Sequence, residues 1–185
     1  YRDFVELPSQ IMENWCRHPE VMKTYAKHYE TGEVIPDELI AKIENAGTYG
    51  QGFVNAELIA ASLLDFKYHI ITEPTKISLP EFEDKAMGEI GLISEIISRY
   101  KSTYFQHIFS GGYSCGYYSY TWAAVLDNDA FEAFKQNGLF DKATADAFRT
   151  NVLERGNTED PMVLYKRFRG QEPSITPLLK NRGLL

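Results

Sequence analysis

Cysteine is nearly missing from this chain: Cys16 and Cys115 are the only two in 185 residues, and neither sits in a Cys-x-x-Cys pair. Two scattered thiols are too few for a disulfide-stapled scaffold and favour a reducing compartment, so a cytoplasmic location is expected. Long apolar runs are missing as well. Nothing approaches the ~18 consecutive apolar residues of a spanning helix, and no charged-then-apolar leader opens the sequence, so no membrane partner is expected. Basic charge is the third deficit, with 19 Lys and Arg against 26 Asp and Glu for a formal charge of −7. No clustered Lys/Arg face offsets that balance, and nucleic acid is therefore not an expected partner.

Familiar catalytic spacings are absent too. The histidines at 18, 28, 69 and 107 form no His-Glu-x-x-His pair, and there is no Gly-x-Ser-x-Gly elbow, phosphate-binding glycine loop or dinucleotide fingerprint. What remains is ordinary globular composition, 44% hydrophobic and 24% charged, with enough residues for one sizeable core.

Helical periodicity dominates what is present. Val5, Pro8, Met12, Trp15 and Cys16 recur at helical intervals, which predicts a first helix with those side chains buried and with Asp3 and Glu6 as a capping box. Further helices are predicted over 19–29, 36–46 and 53–68, with Gly47, Gly50 and Gly52 forming a flexible joint before the third. Additional spans follow at 80–100, from the central stretch to 134, at 141–154, at 161–168 behind an Asp160 cap, and from Thr176 to Gly183. No strand or repeat stands out, so the fold class is mainly α.

The central stretch is Phe105 to Trp122, Phe-Gln-His-Ile-Phe-Ser-Gly-Gly-Tyr-Ser-Cys-Gly-Tyr-Tyr-Ser-Tyr-Thr-Trp. A helix from Tyr113 onward would place Tyr113, Tyr117 and Tyr120 on one face over about 10 Å. His107 precedes two glycines, which allow a loop to carry the imidazole toward the same face. Two readings stand side by side: a donor-lined groove, or an aromatic stripe that is simply core. Cys115, in a helix without a partner base, reads as a small buried hydrophobe rather than a nucleophile. Glu6 is likewise open, either a helix cap or a carboxylate offered from a rigid first turn to a cation such as zinc.

Three stretches taken together narrow these choices. Asp3-Phe-Val-Glu-Leu-Pro-Ser-Gln-Ile-Met-Glu-Asn-Trp15, the run from His107 to Trp122, and the tail from Arg155-Gly-Asn through Phe168-Arg-Gly-Gln-Glu-Pro closely resemble the thimet oligopeptidase family of zinc metallopeptidases. The resemblance covers essentially the whole chain in order. The final segment Pro173-Ser-Ile-Thr-Pro-Leu-Leu-Lys-Asn-Arg-Gly-Leu is most similar to the peptidyl-dipeptidase (dipeptidyl carboxypeptidase) branch, with oligopeptidase A-like endopeptidases next.

That resemblance implies a zincin-like catalytic domain of which residues 1–185 are the C-terminal portion. It implies that Glu6 is the third zinc ligand, joining two histidines of an upstream His-Glu-x-x-His helix, whose glutamate is the general base. It implies that Tyr120 stabilises the oxyanion, that His107 and Tyr113 hydrogen-bond substrate or the tetrahedral intermediate, and that Tyr117 is a further substrate contact. The upstream helix is not in this sequence, which opens at Tyr1 rather than Met, so the chain is expected to be a piece that is inactive alone and holds no catalytic zinc. Its expected partners are short peptides and the rest of its own domain. The competing expectation is a catalytically silent helical interaction module.

Overall fold

The computed structural model describes all 185 residues and is built from ten α-helices, with no β-strand beyond one isolated antiparallel bridge between Lys27 and Val34. In chain order these are α1 (Leu7–Arg17), α2 (Pro19–Tyr25), α3 (Asp37–Ala46), α4 (Gln51–His69), α5 (Leu79–Glu89), α6 (Gln106–Phe109), α7 (Ser119–Asn137), α8 (Lys142–Phe148), α9 (Pro161–Arg169) and α10 (Thr176–Asn181). The mainly α reading therefore holds. The chain divides into two compact units, one formed by Tyr1, Asp3–Tyr49 and Ala123–Leu185, the other by Arg2 and Gly50–Trp122. One boundary falls at Gly50, where φ is +69°, a value that glycine reaches without a Cβ clash.

In the first unit, α1 meets α7 through an aromatic wedge. Trp15 lies edge-on to Phe131 and Phe134, each 4.7 Å away between ring centroids, and its indole N–H donates to the Leu139 carbonyl at 3.0 Å. The buried face of α1 is not the expected one. Leu7 and Ile11 are fully buried while Val5 is 46% and Met12 51% exposed, and Cys16 is exposed. A 3-10 turn over Arg2–Phe4 delays the α-helix until Leu7, so the inward face runs Leu7, Ile11, Trp15 at four-residue spacing. The capping box expected of Asp3 and Glu6 is replaced by a different arrangement. Glu6 itself occupies the N-cap position, makes no side-chain cap bond, and accepts from the Ser9 hydroxyl at 3.0 Å.

The rest of this unit follows its punctuation closely. Asp160 caps α9 by accepting from the Met162 N–H at 2.9 Å, with Pro161 at the first helical position. Tyr165 on α9 is fully buried with its Oη 2.7 Å from Asp129 Oδ2, and Arg169 Nε–H donates to the same oxygen at 3.1 Å. The span predicted over 141–154 is one α-helix, Lys142–Phe148, continued by a π-helical turn at Arg149–Leu153. Thr176 starts α10 rather than capping it; Ile175 holds the cap position.

The second unit packs around α4. Ala61, Leu64, Ala86, Phe105, Ile108 and Tyr117 form its buried core, flanked by Tyr68, Phe82, Tyr100 and Tyr120. The helix predicted over 80–100 stops at Glu89. Gly91 at φ +70° turns the chain, and the following segment is irregular, fastened by Glu83, whose Oε1 accepts the Ser102 N–H at 2.6 Å and Oγ–H at 2.5 Å. Burial pushes the Glu83 carboxyl up, but those two bonds together with Lys101 outweigh it and hold it below the usual range.

Two outcomes test this packing. Ile11→Ala should destabilise by ~2–5 kcal/mol, the usual range for emptying a buried aliphatic site, whereas Met12→Ala should cost less than ~1 kcal/mol; urea denaturation compares them, and equal losses would restore the face predicted from spacing. The second concerns Asp127 on α7, which is 4% exposed and accepts from the Gln10 and Asn14 amides at 3.2 Å each. Burial, with a smaller push from Glu13, raises its carboxyl from 3.8 to about 6, against the lowering effect of those amides and of Arg182. The folded chain thus keeps a proton that the unfolded chain releases near pH 4. Stability should fall as pH rises from about 4 to about 6, by at most ~3 kcal/mol, and Asp127→Asn should abolish that fall. Denaturation curves of parent and variant at pH 4 and 7 that move in parallel would refute it.

Candidate functional site

The site is assembled from turns rather than from one helix face. His107 lies on the single-turn helix α6, and the chain then reverses through Ser110, Gly111 and Gly112. The reversal is closed by the Gly111 N–H donating to Gln106 O at 2.7 Å and the Tyr113 N–H donating to His107 O at 2.9 Å. Both glycines are required: a Cβ on Gly111 would sit 2.9 Å from the His107 Cα, and Gly112 adopts φ +83° beneath the Arg2 guanidinium. Arg2 Nε–H donates to the Gly112 carbonyl at 2.5 Å, and its guanidinium carbon stands 4.5 Å from the centre of the Tyr113 ring, close enough for a cation–π contact.

Tyr113 and Tyr117 are not helical, since α7 begins only at Ser119 and Tyr120 alone of the three belongs to it. The phenols nevertheless come together. Tyr113 stacks on Tyr120 at 5.2 Å, Tyr117 meets Tyr120 at 5.2 Å, and the His107 ring lies 6.0, 5.6 and 6.2 Å from Tyr113, Tyr117 and Tyr120. His107, Tyr113 and Tyr120 are half-buried, whereas Tyr117 is 3% exposed and belongs to the core. Burial pushes the Tyr117 phenol up, with neighbouring Tyr100 adding to the effect, so it is a neutral donor throughout the physiological range.

Three participants carried no local sequence signal. Tyr100 stacks on Phe105 at 4.8 Å and reaches His107 at 5.0 Å. Asp65, inside α4 and 1% exposed, accepts the Cys115 N–H on Oδ1 and the Tyr117 N–H on Oδ2, both at 2.9 Å. His69, one helical turn on, places Nδ1 2.8 Å from Asp65 Oδ1. Cys115 is exposed and sits at φ +53°, which corrects the expectation of a buried helical thiol: the turn that replaces the helix points its side chain outward.

Glu6 stands in the other unit, half-buried at the head of α1. In neither unit do three His, Cys, Asp or Glu side chains converge as a metal site would need. The donors present thus amount to a cluster of neutral phenols beside an imidazole, and a separate helix-borne carboxylate.

Fold and donors define a helical segment carrying a phenol and imidazole cluster, and sequence comparison places it in a family. The description "Peptidase family M3" matches residues 1–184, and the chain belongs to that family. It is 42% identical to dipeptidyl carboxypeptidase of Escherichia coli K12 over 185 residues, covering 99% of this chain and 27% of that protein. Oligopeptidase A of Salmonella typhimurium is also 42% identical, over 98% of this chain and 27% of its own length, and saccharolysin of Saccharomyces cerevisiae is 32% identical over 98% and 26%. The chain spans about a quarter of the length of these relatives.

Proposed function

We propose that this chain is the C-terminal portion of the catalytic domain of a cytoplasmic zinc peptidase that removes dipeptides from the C-termini of short peptides. The observation that carries the reading is the half-buried cluster of His107, Tyr113 and Tyr120, held by a glycine reversal, within a chain of the M3 family. Tyr120 donates its phenolic hydrogen to the oxyanion that develops at the scissile carbonyl. His107 and Tyr113 hold the peptide backbone and the tetrahedral centre. Tyr117, packed beneath them, supports the His107 and Tyr120 rings, to which its own ring lies at 5.6 and 5.2 Å. A phenol suits the oxyanion role because it donates while neutral, and a preorganised donor of this kind is worth ~3 kcal/mol at the transition state.

Glu6 is assigned as one zinc ligand. A lone carboxylate is not a catalytic zinc site, so two histidine ligands and the glutamate base come from elsewhere in the protein, as the family resemblance implies. When bound, the metal would polarise the carbonyl and acidify its water. Half-exposed apolar side chains along α4, Phe53, Val54, Ile59 and Phe66, support the view that this helix meets the remainder of the domain. The free thiols of Cys16 and Cys115 support the cytoplasmic assignment, and no helix is long and apolar enough to cross a membrane.

The full-length protein tests the reading with a blocked tripeptide and with the same peptide amidated at its C-terminus. Dipeptide release from the free acid, lost on amidation, is expected; equal internal cleavage of both would favour the oligopeptidase A-like alternative, and no cleavage the silent module. Tyr120→Phe should lower kcat at least ~100-fold with little change in KM, and turnover within twofold of the parent would remove Tyr120 from the oxyanion role. Glu6→Gln should leave the dialysed protein with well under one zinc per chain by metal analysis, whereas full stoichiometry would exclude Glu6 as a ligand.

A further inference from the structure

The turn that carries the phenols has no helix of its own to satisfy its backbone. Between Gly112 and Ser119 the backbone-to-backbone bonds are all short-range, Tyr113 N–H to His107 O and Gly116 N–H to Tyr113 O among them. Cys115 occupies the left-handed region at φ +53°, a conformation that a non-glycine residue keeps only where its surroundings impose it. The surroundings here are one carboxylate. Asp65, 50 residues earlier on α4, takes the Cys115 N–H on one oxygen and the Tyr117 N–H on the other, each at 2.9 Å. Asp65 Oδ1 and the Asp65 carbonyl both lie 2.8 Å from His69 Nδ1. Both are acceptors, so Nδ1 carries the hydrogen and the ring pins the carboxylate.

We infer that Asp65 is a positioning residue for the tyrosine turn: by accepting two turn amides at once it sets where Tyr113, Tyr117 and Tyr120 stand, with His69 fixing the carboxylate's direction. No other side chain of this size does the same. Asparagine replaces one carboxylate oxygen by an NH2 group that only donates, so one of the two amides would face N–H hydrogens instead of an oxygen. The consequence for turnover rests on the peptidase reading above; the consequence for the turn does not. Asp65 touches none of the groups assigned to substrate, which makes its effect indirect, felt through the position of the phenols.

The test uses the full-length protein with Asp65→Asn and, because a buried change can block folding, His69→Ala at a side chain that is 26% exposed. Hydrogen exchange over 113–118, read by mass spectrometry, should quicken at least ~10-fold in Asp65→Asn and ~3-fold in His69→Ala, while α5 exchanges as in the parent. With a blocked tripeptide, kcat should fall at least ~10-fold in Asp65→Asn and KM should stay within ~3-fold. Exchange over 113–118 unchanged in the variants that fold overturns the inference, and if Asp65→Asn does not fold, His69→Ala alone decides. Faster exchange with full turnover overturns the claim that the turn sets phenol geometry. Failure of the peptidase reading looks different: the parent itself cleaves nothing, yet exchange over 113–118 still quickens, which upholds Asp65 as the anchor of the turn.

Discussion

A turn that leaves water must find acceptors for its amides, and in the second unit that requirement falls on Asp65. Helices answer it internally, because each N–H meets a carbonyl four residues back. The segment from Tyr113 to Tyr118 has no such ladder, and Cys115 at φ +53° holds its amide away from any local carbonyl partner. A buried carboxylate with two amides and an imidazole around it solves both problems at once, since its charge is met by three donors and the turn is fixed to the longest helix of that unit. The aromatic packing then follows. Tyr117 drops into the core against Phe105 at 5.0 Å, and Tyr113 and Tyr120 stack above it.

This arrangement shows what the sequence made legible and what it did not. Helices with their own punctuation were readable, α9 above all, because Asp160, Pro161 and Gly170 mark its start and end within the segment itself. The membership of the tyrosine cluster was readable for a related reason: His107, Tyr113, Tyr117 and Tyr120 are close in sequence, and almost any compact path between them brings the rings together. The path was not readable. Spacing of four and three suggested a helix, but the decisive acceptor lies 50 residues away, where Asp65 between Leu64 and Phe66 looks like any polar residue in an apolar helix. The buried face of α1 departs from the one that spacing predicts for a local reason, the 3-10 turn before Leu7, which shifts the register of the apolar positions.

The division of labour among the phenols also rests on depth. Tyr117 is nearly sealed and its ring edges meet Phe105, His107 and Tyr120, so its role is to hold neighbours. Tyr120 is half-buried at the first turn of α7, on a helical backbone and still reachable, which is the combination the proposed oxyanion role needs. Stacking against Tyr113 restricts its ring, and the guanidinium of Arg2 on the Tyr113 ring extends that restraint by one more layer.

Three buried aspartates illustrate why Asp65 in particular can carry a turn. Asp129 is met by the Tyr165 hydroxyl and the Arg169 guanidinium, and Asp65 by two backbone amides and an imidazole. Asp127 is met by the side-chain amides of Gln10, Asn14 and Asn128, neutral groups on flexible stems, and burial lifts its carboxyl to about 6. At Asp127 the donors fall short of the cost of burial: neutral side-chain amides at 3.2 Å do not recover the hydration that the carboxylate gives up. Backbone amides differ in that they are already fixed by the chain, so the carboxylate that meets them loses less freedom and gains two bonds together. A residue that takes its donors from the backbone therefore meets its own charge and dictates a chain conformation at once, whereas one that takes them from side chains, as Asp127 and Asp129 do, does only the first.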